Sequence, residues 1–159
     1  MTVQQTLITG WDIGGAHLKV AQCNRQGKLI HAIELSCPLW QGIEYLQQAI
    51  KTAQQQLGSQ QIIAAITMTG ESVDIFADRQ TGVRAILDCI SQFIPAEYCI
   101  VYAGELGWLS ILQAKEQWQL VASRNWQASA LFTSQHVKHG LFVDVGSTTS
   151  DIIPIKQNR

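Results

Sequence analysis

Two glycine-bearing turns contain the residues of this sequence that are best suited to chemistry. The first lies in residues 12–19 (DIGGAHLK) and the second in residues 144–151 (DVGSTTSD). Each follows an apolar, β-prone run and leads into another, so each predicts a strand, a tight turn and a second strand. Glycines let a backbone approach an anion, N–H and hydroxyl groups donate to it, and aspartates hold Mg²⁺ or orient water. Together the two turns predict a phosphate clamp.

The second turn is the stronger of the two signals. Its run of Gly146, Ser147, Thr148 and Thr149 gathers hydroxyl and N–H donors in one short bend. Such a bend suits phosphate oxygens, and the carboxylate of Asp144 beside it suits a Mg²⁺ ion that bridges phosphates. A plainer interpretation stays open, in which these side chains only satisfy the backbone of an ordinary hairpin.

The first turn offers a carboxylate and two basic side chains. Asp12 lies within an apolar strand, where a carboxylate costs free energy unless it has a partner. His17 and Lys19 alternate with apolar neighbours, so both can project from one strand face toward an anion. Gly14 and Gly15 would form the turn that binds it. The plainer alternatives are a simple Gly-Gly turn, a surface histidine and a solvated lysine.

Further polar residues follow a buried strand in the middle of the sequence. Ligands of open α/β sheets bind near the carboxyl ends of the strands, and the apolar run 62–68 ends just before this group. Glu71 is a candidate general base or metal ligand, although it also fits a helix-start turn that Thr69 caps. Arg79 suits a phosphate or carboxylate, or else an ion pair on a helix face. The candidates for lining the cleft are Thr69, Gly70, Glu71, Asp74, Arg79 and, farther along the chain, Asn125.

The elements that must position these residues alternate in type. Hydrophobic patterning predicts a β-meander over residues 6–35, an amphipathic helix over 41–57 and a buried strand at 62–68. A second helix over 81–94, a strand at 98–103, a mainly helical stretch over 108–137 and a hairpin over 140–155 follow. This order predicts an α/β architecture in which helices cover a mixed sheet.

Composition excludes several classes of protein. The 159 residues carry a formal net charge of −1 and no run of Lys or Arg, so nucleic acid and anionic membranes are not expected partners. The N-terminal sequence has no signal-peptide pattern, and no apolar run reaches the length of a membrane span. We therefore expect a cytoplasmic protein whose cysteines are reduced, with Cys89 and Cys99 in the core and Cys37 in a loop.

Four separated motifs resemble a known superfamily. The two glycine turns resemble the phosphate elements of the actin, sugar-kinase and heat-shock-chaperone ATPases. The segments GWDIGGAHLKVA, MTGESVDIFADRQTGV, SRNWQA and GLFVDVGSTTSDIIPI are similar to the hydantoinase/oxoprolinase-related branch. Within it they are most similar to proteins linked to tetrahydromethanopterin and methanofuran C1 metabolism. One enzyme of that group joins an aminomethylfuran diphosphate to γ-glutamyltyramine and releases pyrophosphate.

The resemblance implies a fold and a set of roles. It implies a ribonuclease-H-like mixed sheet flanked by helices, the actin-like ATPase fold, as a lobe over residues 1–137. A phosphate-binding hairpin over 138–159 would begin an incomplete second lobe, because family members are about twice as long. Asp12, Glu71 and Asp144 would be catalytic, with Asp12 and Asp144 at the metal. The first phosphate loop would comprise Gly14, Gly15, His17 and Lys19, and the second would comprise Gly146, Ser147, Thr148 and Thr149.

The resemblance also leaves several functions open. The expected ligand is a small-molecule phosphate or diphosphate with Mg²⁺, and ATP is a further candidate. An ATP-dependent phosphotransferase or a hydantoinase/oxoprolinase-type amidohydrolase is the alternative enzyme. A third alternative is a truncated, non-catalytic fragment or assembly module. A second polypeptide or self-association would complete the cleft, or the last hairpin would join the first sheet in a rearranged fold.

Overall fold

A computed structural model describes residues 7–58, 62–146 and 150–156 of the chain. It contains a six-stranded sheet in the order β3-β2-β1-β4-β5-β6 and a separate two-stranded sheet of β7 and β8. The strands of the first sheet are β1 Leu7–Ile13, β2 His17–Cys23, β3 Leu29–Ser36, β4 Ile62–Met68, β5 Cys99–Tyr102 and β6 Trp108–Leu109. Those of the second are β7 His139–Val145 and β8 Ser150–Lys156.

Five α-helices accompany the sheets in the described residues. They are α1 Ile43–Leu57, α2 Arg79–Ser91, α3 Ile111–Glu116, α4 Trp118–Val121 and α5 Asn125–Ser134. Helix α1 buries Leu46, Ile50 and Ala53 at helical spacing and ends at Gly58, whose φ of 77° favours glycine. None of the helices in the described part of the chain is long and apolar enough to cross a membrane.

The first sheet is mixed because its strands are connected in two ways. Tight turns join β1, β2 and β3 as an antiparallel meander. The crossovers through α1 and α2 make β4 parallel to β1 and β5 parallel to β4. The carboxyl ends of β1, β4 and β5 therefore lie at one edge of the sheet. The predicted α/β architecture, a mixed sheet covered by helices, is thus confirmed.

The core lies on one face of this sheet. In β1 the buried Trp11 and Ile13 alternate with Asp12, so Asp12 points to the opposite face. The core cluster joins Trp11, Ile13 and Ile66 of the sheet to residues of α1 and α2, among them Ile50 and Ile86. Helix α5 contacts β4, β7 and β8, and it therefore connects the two sheets.

The terminal hairpin pairs as the sequence predicts, but it does so by itself. Residues of β7 and β8 are paired antiparallel from His139 with Lys156 to Val145 with Ser150. Because the hairpin forms its own sheet, the alternative in which it joins the first sheet is wrong. That residues 138–159 begin a second lobe stays a prediction.

Most of the predicted elements are confirmed, with shifted ends. Helix α2 begins at Arg79 rather than at residue 81 because the side chain of Asp78 accepts a hydrogen bond from the backbone N–H of Thr81, at 2.7 Å. The short strand β6 occupies the first two residues of the stretch 108–137 that was predicted as mainly helical. Cys89 and Cys99 are buried as predicted, and Cys37, which lies in the loop after β3 as predicted, is buried as well.

Candidate functional site

Asp12 lies at the centre of a polar group on the sheet face opposite the core. The strand register places Lys19 of β2 on one side of it and Thr67 of β4 on the other. The Thr67 hydroxyl lies 3.3 Å from a carboxylate oxygen of Asp12. A cation and a hydroxyl donor thus flank the carboxylate. A carboxylate in an apolar strand needs such partners to offset the free energy of its burial.

Two distant parts of the chain complete this group. The side chain of Asn125, at the start of α5, hydrogen-bonds to Asp12, and the charge of Asp144 in β7 acts on it. Burial raises the pKa of Asp12, and the Asp144 carboxylate raises it further. Lys19, Thr67 and Asn125 oppose the rise. The structure therefore brings together the predicted residues Asp12, Lys19, Asn125 and Asp144, which belong to both glycine turns and to the connection between the sheets.

The first glycine turn packs closely against the segment that follows β4. The N–H of Gly14 donates to the carbonyl of His17 at 3.0 Å, and the carbonyl of Gly15 accepts from Leu39 at 2.9 Å. A methyl group on Gly15 would lie 2.8 Å from Cγ1 of Val73. Neither glycine has a positive φ. These glycines are therefore required by close packing, while the amide of Gly14 is already used within the turn.

The segment after β4 is fixed to the same turn. The N–H of Thr69 donates to the carbonyl of Ile13 at 2.9 Å. A methyl group on Gly70 would lie 3.0 Å from the carbonyl oxygen of Gly14 and 2.8 Å from Leu39. Thr69 makes no side-chain capping bond to the short 3₁₀ turn that follows it, so its interpretation as a helix cap is wrong. Thr69 and Gly70 hold the strand ends together.

Glu71 is buried, with an exposed fraction of 1%. One of its carboxylate oxygens accepts a hydrogen bond from the Ser123 hydroxyl at 2.7 Å. The other, Oε2, has no hydrogen-bond partner among the residues that the structure describes. Helix α2 passes close to its backbone at Gly82, where a methyl group would lie 2.5 Å from the Glu71 carbonyl oxygen. Ser123 adopts a φ of 53°, which is uncommon for a residue with a side chain.

The structure does not bring every predicted site residue to Asp12. His17 is exposed, and its Nδ1 lies 4.0 Å from a carboxylate oxygen of Glu34. Asp74 and Arg79 are exposed, and neither is among the described residues whose charges or hydrogen bonds act on the pKa of Asp12. Gly146 follows β7 directly, whereas Ser147, Thr148 and Thr149 lie outside the described residues. Their role in phosphate binding stays a prediction.

The structure reveals a second polar group beside this one, which the sequence did not indicate. The Tyr102 hydroxyl, Nε of Arg124 and Oε1 of Gln127 are all buried and have no hydrogen-bond partner within residues 7–58, 62–146 and 150–156. Burial raises the pKa of Tyr102, and the positive charge of Arg124 opposes this rise. An unsatisfied buried polar group costs about 1–3 kcal/mol, so three of them in one place call for an explanation.

The donor atoms at Asp12 and Asp144 fit a hard cation. Two carboxylates and the Thr67 hydroxyl supply only oxygen, which is the ligand type that Mg²⁺ prefers, and Mg²⁺ commonly uses one or two carboxylates and keeps several waters. A cation would also offset the mutual repulsion that contributes to the raised pKa of Asp12. Within the described ranges there is no cluster of three or more His, Cys, Asp or Glu residues that would form an all-protein metal cage.

Comparison with known proteins identifies a family and a curated protein of similar sequence. Residues 47–159 match the family model described as hydantoinase/oxoprolinase. The chain is also 33% identical over 153 residues to (4-{4-[2-(gamma-L-glutamylamino)ethyl]phenoxymethyl}furan-2-yl)methanamine synthase of Methanocaldococcus jannaschii. This alignment covers 94% of the chain and 44% of the relative, so the chain spans less than half the length of that curated protein.

Solved structures share the architecture at low identity. A reductive activator for a corrinoid, iron–sulfur protein superposes with a TM-score of 0.53 and 15% identity, over 98% of this chain and 30% of the activator. An Aquifex aeolicus member of the Ppx/GppA family gives a TM-score of 0.44 and 15% identity, over 97% of this chain and 48% of that one. The first likeness shows a shared fold, and at this identity it shows the fold alone.

Proposed function

Because the chain belongs to the hydantoinase/oxoprolinase family, we propose that it carries the diphosphate site of an enzyme that assembles a methanofuran-type precursor. In this reaction the phenol oxygen of γ-glutamyltyramine displaces the diphosphate of an aminomethylfuran diphosphate and forms an ether. The observation that carries the proposal is that Asp12, in the first glycine turn, is flanked by Lys19 and Thr67 and also lies within the electrostatic reach of Asp144, in the second. The name of the 33% identical relative describes the ether that such a reaction produces.

The residues around Asp12 would bind the leaving group. The ammonium of Lys19 and the backbone N–H groups of the Gly15–Ala16 turn would stabilise the negative charge that grows on the diphosphate as its C–O bond breaks. The second loop, Gly146 with Ser147, Thr148 and Thr149, would bind the other phosphate from the hairpin side. Asp12 and Asp144 would hold Mg²⁺, which when bound would neutralise charge on the phosphate oxygens.

Equilibrium binding of pyrophosphate tests this assignment. We expect the chain to bind pyrophosphate in the presence of Mg²⁺ by isothermal titration calorimetry, and more weakly by about tenfold or more in EDTA. Asp144→Ala and Asp12→Asn should each abolish or greatly weaken this binding. Asp88→Asn is the matched control, because it removes an exposed aspartate of α2 that pairs with Lys115 of α3. Undiminished binding by both site variants would refute the assignment.

The same experiment separates the alternatives. Tighter binding of ATP than of pyrophosphate, with ATP turnover, would favour a phosphotransferase. ATP-dependent opening of a hydantoin or of 5-oxoproline would favour the amidohydrolase activity after which the family is named. A chain that binds neither phosphate compound with Mg²⁺ would fit a non-catalytic module.

A further inference from the structure

We propose that Tyr102, Arg124 and Gln127 form a recognition subsite for the α-amino-acid head group of the acceptor substrate. The inference rests on the proposed function, whose acceptor carries a γ-glutamyl group with a free α-carboxylate and α-ammonium. It adds to that function the part of the chain that selects the acceptor.

Three unpartnered polar atoms converge from two elements. The Tyr102 hydroxyl lies at the end of β5, Nε of Arg124 precedes α5, and Oε1 of Gln127 lies in the first turn of α5. The positive charge of Arg124 acts on Tyr102, and Arg124 is tied to the first turn of α5 because its carbonyl accepts from the N–H of Gln127 at 3.2 Å. A methyl group on Gly104, two residues after Tyr102, would lie 2.7 Å from Oε1 of Gln127. Tyr102 is 6% exposed, so solvent does not replace the missing partner.

The chemistry of these atoms selects one kind of ligand. The guanidinium N–H and the phenol O–H both donate, and a carboxylate accepts from both. The amide oxygen of Gln127 accepts, and an ammonium group donates to it. A phosphate would satisfy only the donors, and a simple amine only the acceptor. An α-amino acid carries both groups on one carbon.

The position of the subsite fits an elongated acceptor. Tyr102 belongs to β5 and Asp12 to β1, and only β4 lies between them in the sheet. Two strand spacings amount to about 10 Å. The glutamyl, aminoethyl and phenyl units of γ-glutamyltyramine can bridge this separation, so that the phenol oxygen reaches the diphosphate site while the head group occupies the subsite.

The subsite is closed in the structure and has a point at which it can open. The unpartnered atoms have almost no solvent-accessible area, so a ligand must enter before the chain closes over it. The connection between α4 and α5 turns at Ser123, whose φ is 53° and whose hydroxyl bonds to Glu71 at 2.7 Å. Breaking that single side-chain bond frees the residue from an uncommon conformation, which favours opening at this place.

Binding of γ-L-glutamyltyramine to the full chain tests the proposal. Two analogues serve as probes of the head group, glutaryl-tyramine, which lacks the α-amine, and 4-aminobutyryl-tyramine, which lacks the α-carboxylate. We expect each analogue to bind about tenfold or more weakly than the parent compound. Arg124→Gln should weaken the parent but change the affinity of 4-aminobutyryl-tyramine little. Arg84→Gln, an exposed arginine on α2, is the matched control. Equal affinities for all three compounds would refute the subsite.

Tyr102→Phe separates recognition from folding. Because the hydroxyl has no partner within the described residues, its removal should leave the thermal midpoint unchanged or raise it, while the affinity for the parent compound falls. A lower midpoint with unchanged affinity would show that the hydroxyl is structural and would overturn the proposal. Pyrophosphate binding, measured in parallel, distinguishes the two assignments. If the chain binds pyrophosphate but not γ-L-glutamyltyramine, only the subsite is refuted. If it binds γ-L-glutamyltyramine but not pyrophosphate, only the diphosphate site is refuted.

Discussion

Gly82→Ala tests how closely helix α2 is packed against Glu71. In the interior of a helix, replacing glycine by alanine normally stabilises by about 1 kcal/mol, because alanine loses less backbone entropy and is the better helix former. Here the added methyl group would lie 2.5 Å from the Glu71 carbonyl oxygen, 2.8 Å from its Cα and 2.9 Å from Cδ2 of Phe76. The first two are backbone atoms, so a change of rotamer cannot relieve them.

The cost of fitting the added methyl group determines whether Gly82→Ala stabilises or destabilises the fold. Inserting a methyl group into a packed region that cannot yield costs about 1–3 kcal/mol, and the helix-propensity gain offsets only part of that. We expect Gly82→Ala to lower the free energy of unfolding by about 1–2 kcal/mol. For a chain of this size that corresponds to a fall of roughly 3–6 °C in the thermal midpoint.

Urea denaturation, followed by circular dichroism and by tryptophan fluorescence, measures this change. The two probes should give coincident transitions and an unchanged m-value, which would show that the folded states are equally compact. Gly10→Ala is the matched control, because nothing lies within 4 Å of the methyl group that it introduces on β1. It should be neutral or slightly stabilising. If Gly82→Ala is as stable as the wild-type chain or more so, the close contact between α2 and Glu71 is refuted.

Three further predictions follow from particular side chains. Because the pKa of Asp12 is raised above its ordinary value of 3.8, the folded state binds this proton more tightly, and the wild-type chain loses stability as the pH rises from 3.8 through the raised pKa. The stability advantage of Asp12→Asn, measured by denaturation from pH 3.5 to 7.5, should therefore grow with pH. A difference in stability that stays constant with pH would contradict the raised pKa. Ser110→Ala removes the capping box that Ser110 and Gln113 form at the start of α3 and should cost about 1 kcal/mol, whereas Ser134→Ala, near the end of α5, should change little. Iodoacetamide should modify Cys23 first in the native chain at pH 8, as mass spectrometry of the peptides would show. Burial shields the other thiols and raises their pKa to about 11; these thiols are Cys37, Cys89 and Cys99.

Local patterns were sufficient for most of the elements of the first sheet. The strand β4 is predicted residue for residue, because a compact β-branched run bounded by polar residues has few other stable conformations. The end of α1 at Gly58 is likewise predicted, because only glycine readily adopts its φ of 77°. The start of α2 was missed because the sequence offers several polar residues before it, and only the structure shows that Asp78 is the one that caps.

Local patterns were less informative about the reasons for the glycines and for the buried polar residues. Gly14 and Gly15 were expected to serve an anion, whereas the structure shows first that Gly15 makes room for Val73. Glu71 was predicted as a general base or metal ligand near a strand end, and its burial and its hydrogen bond from Ser123 were not foreseen. Each of these facts depends on a neighbour that is distant in sequence, and a one-dimensional pattern does not identify such neighbours.

The sequence by itself determined that two strand–turn–strand units with aspartates at their edges exist, because alternation, glycines and turn residues act within a few positions of one another. Only the tertiary structure shows that Asn125 and the charge of Asp144 act on Asp12, and that Tyr102, Arg124 and Gln127 each bury a polar atom that has no partner among the described residues. These relations between residues distant in sequence follow from the strand order and from the path of α5 between the two sheets. Burial of the whole core selects that order, and no local segment contains the information.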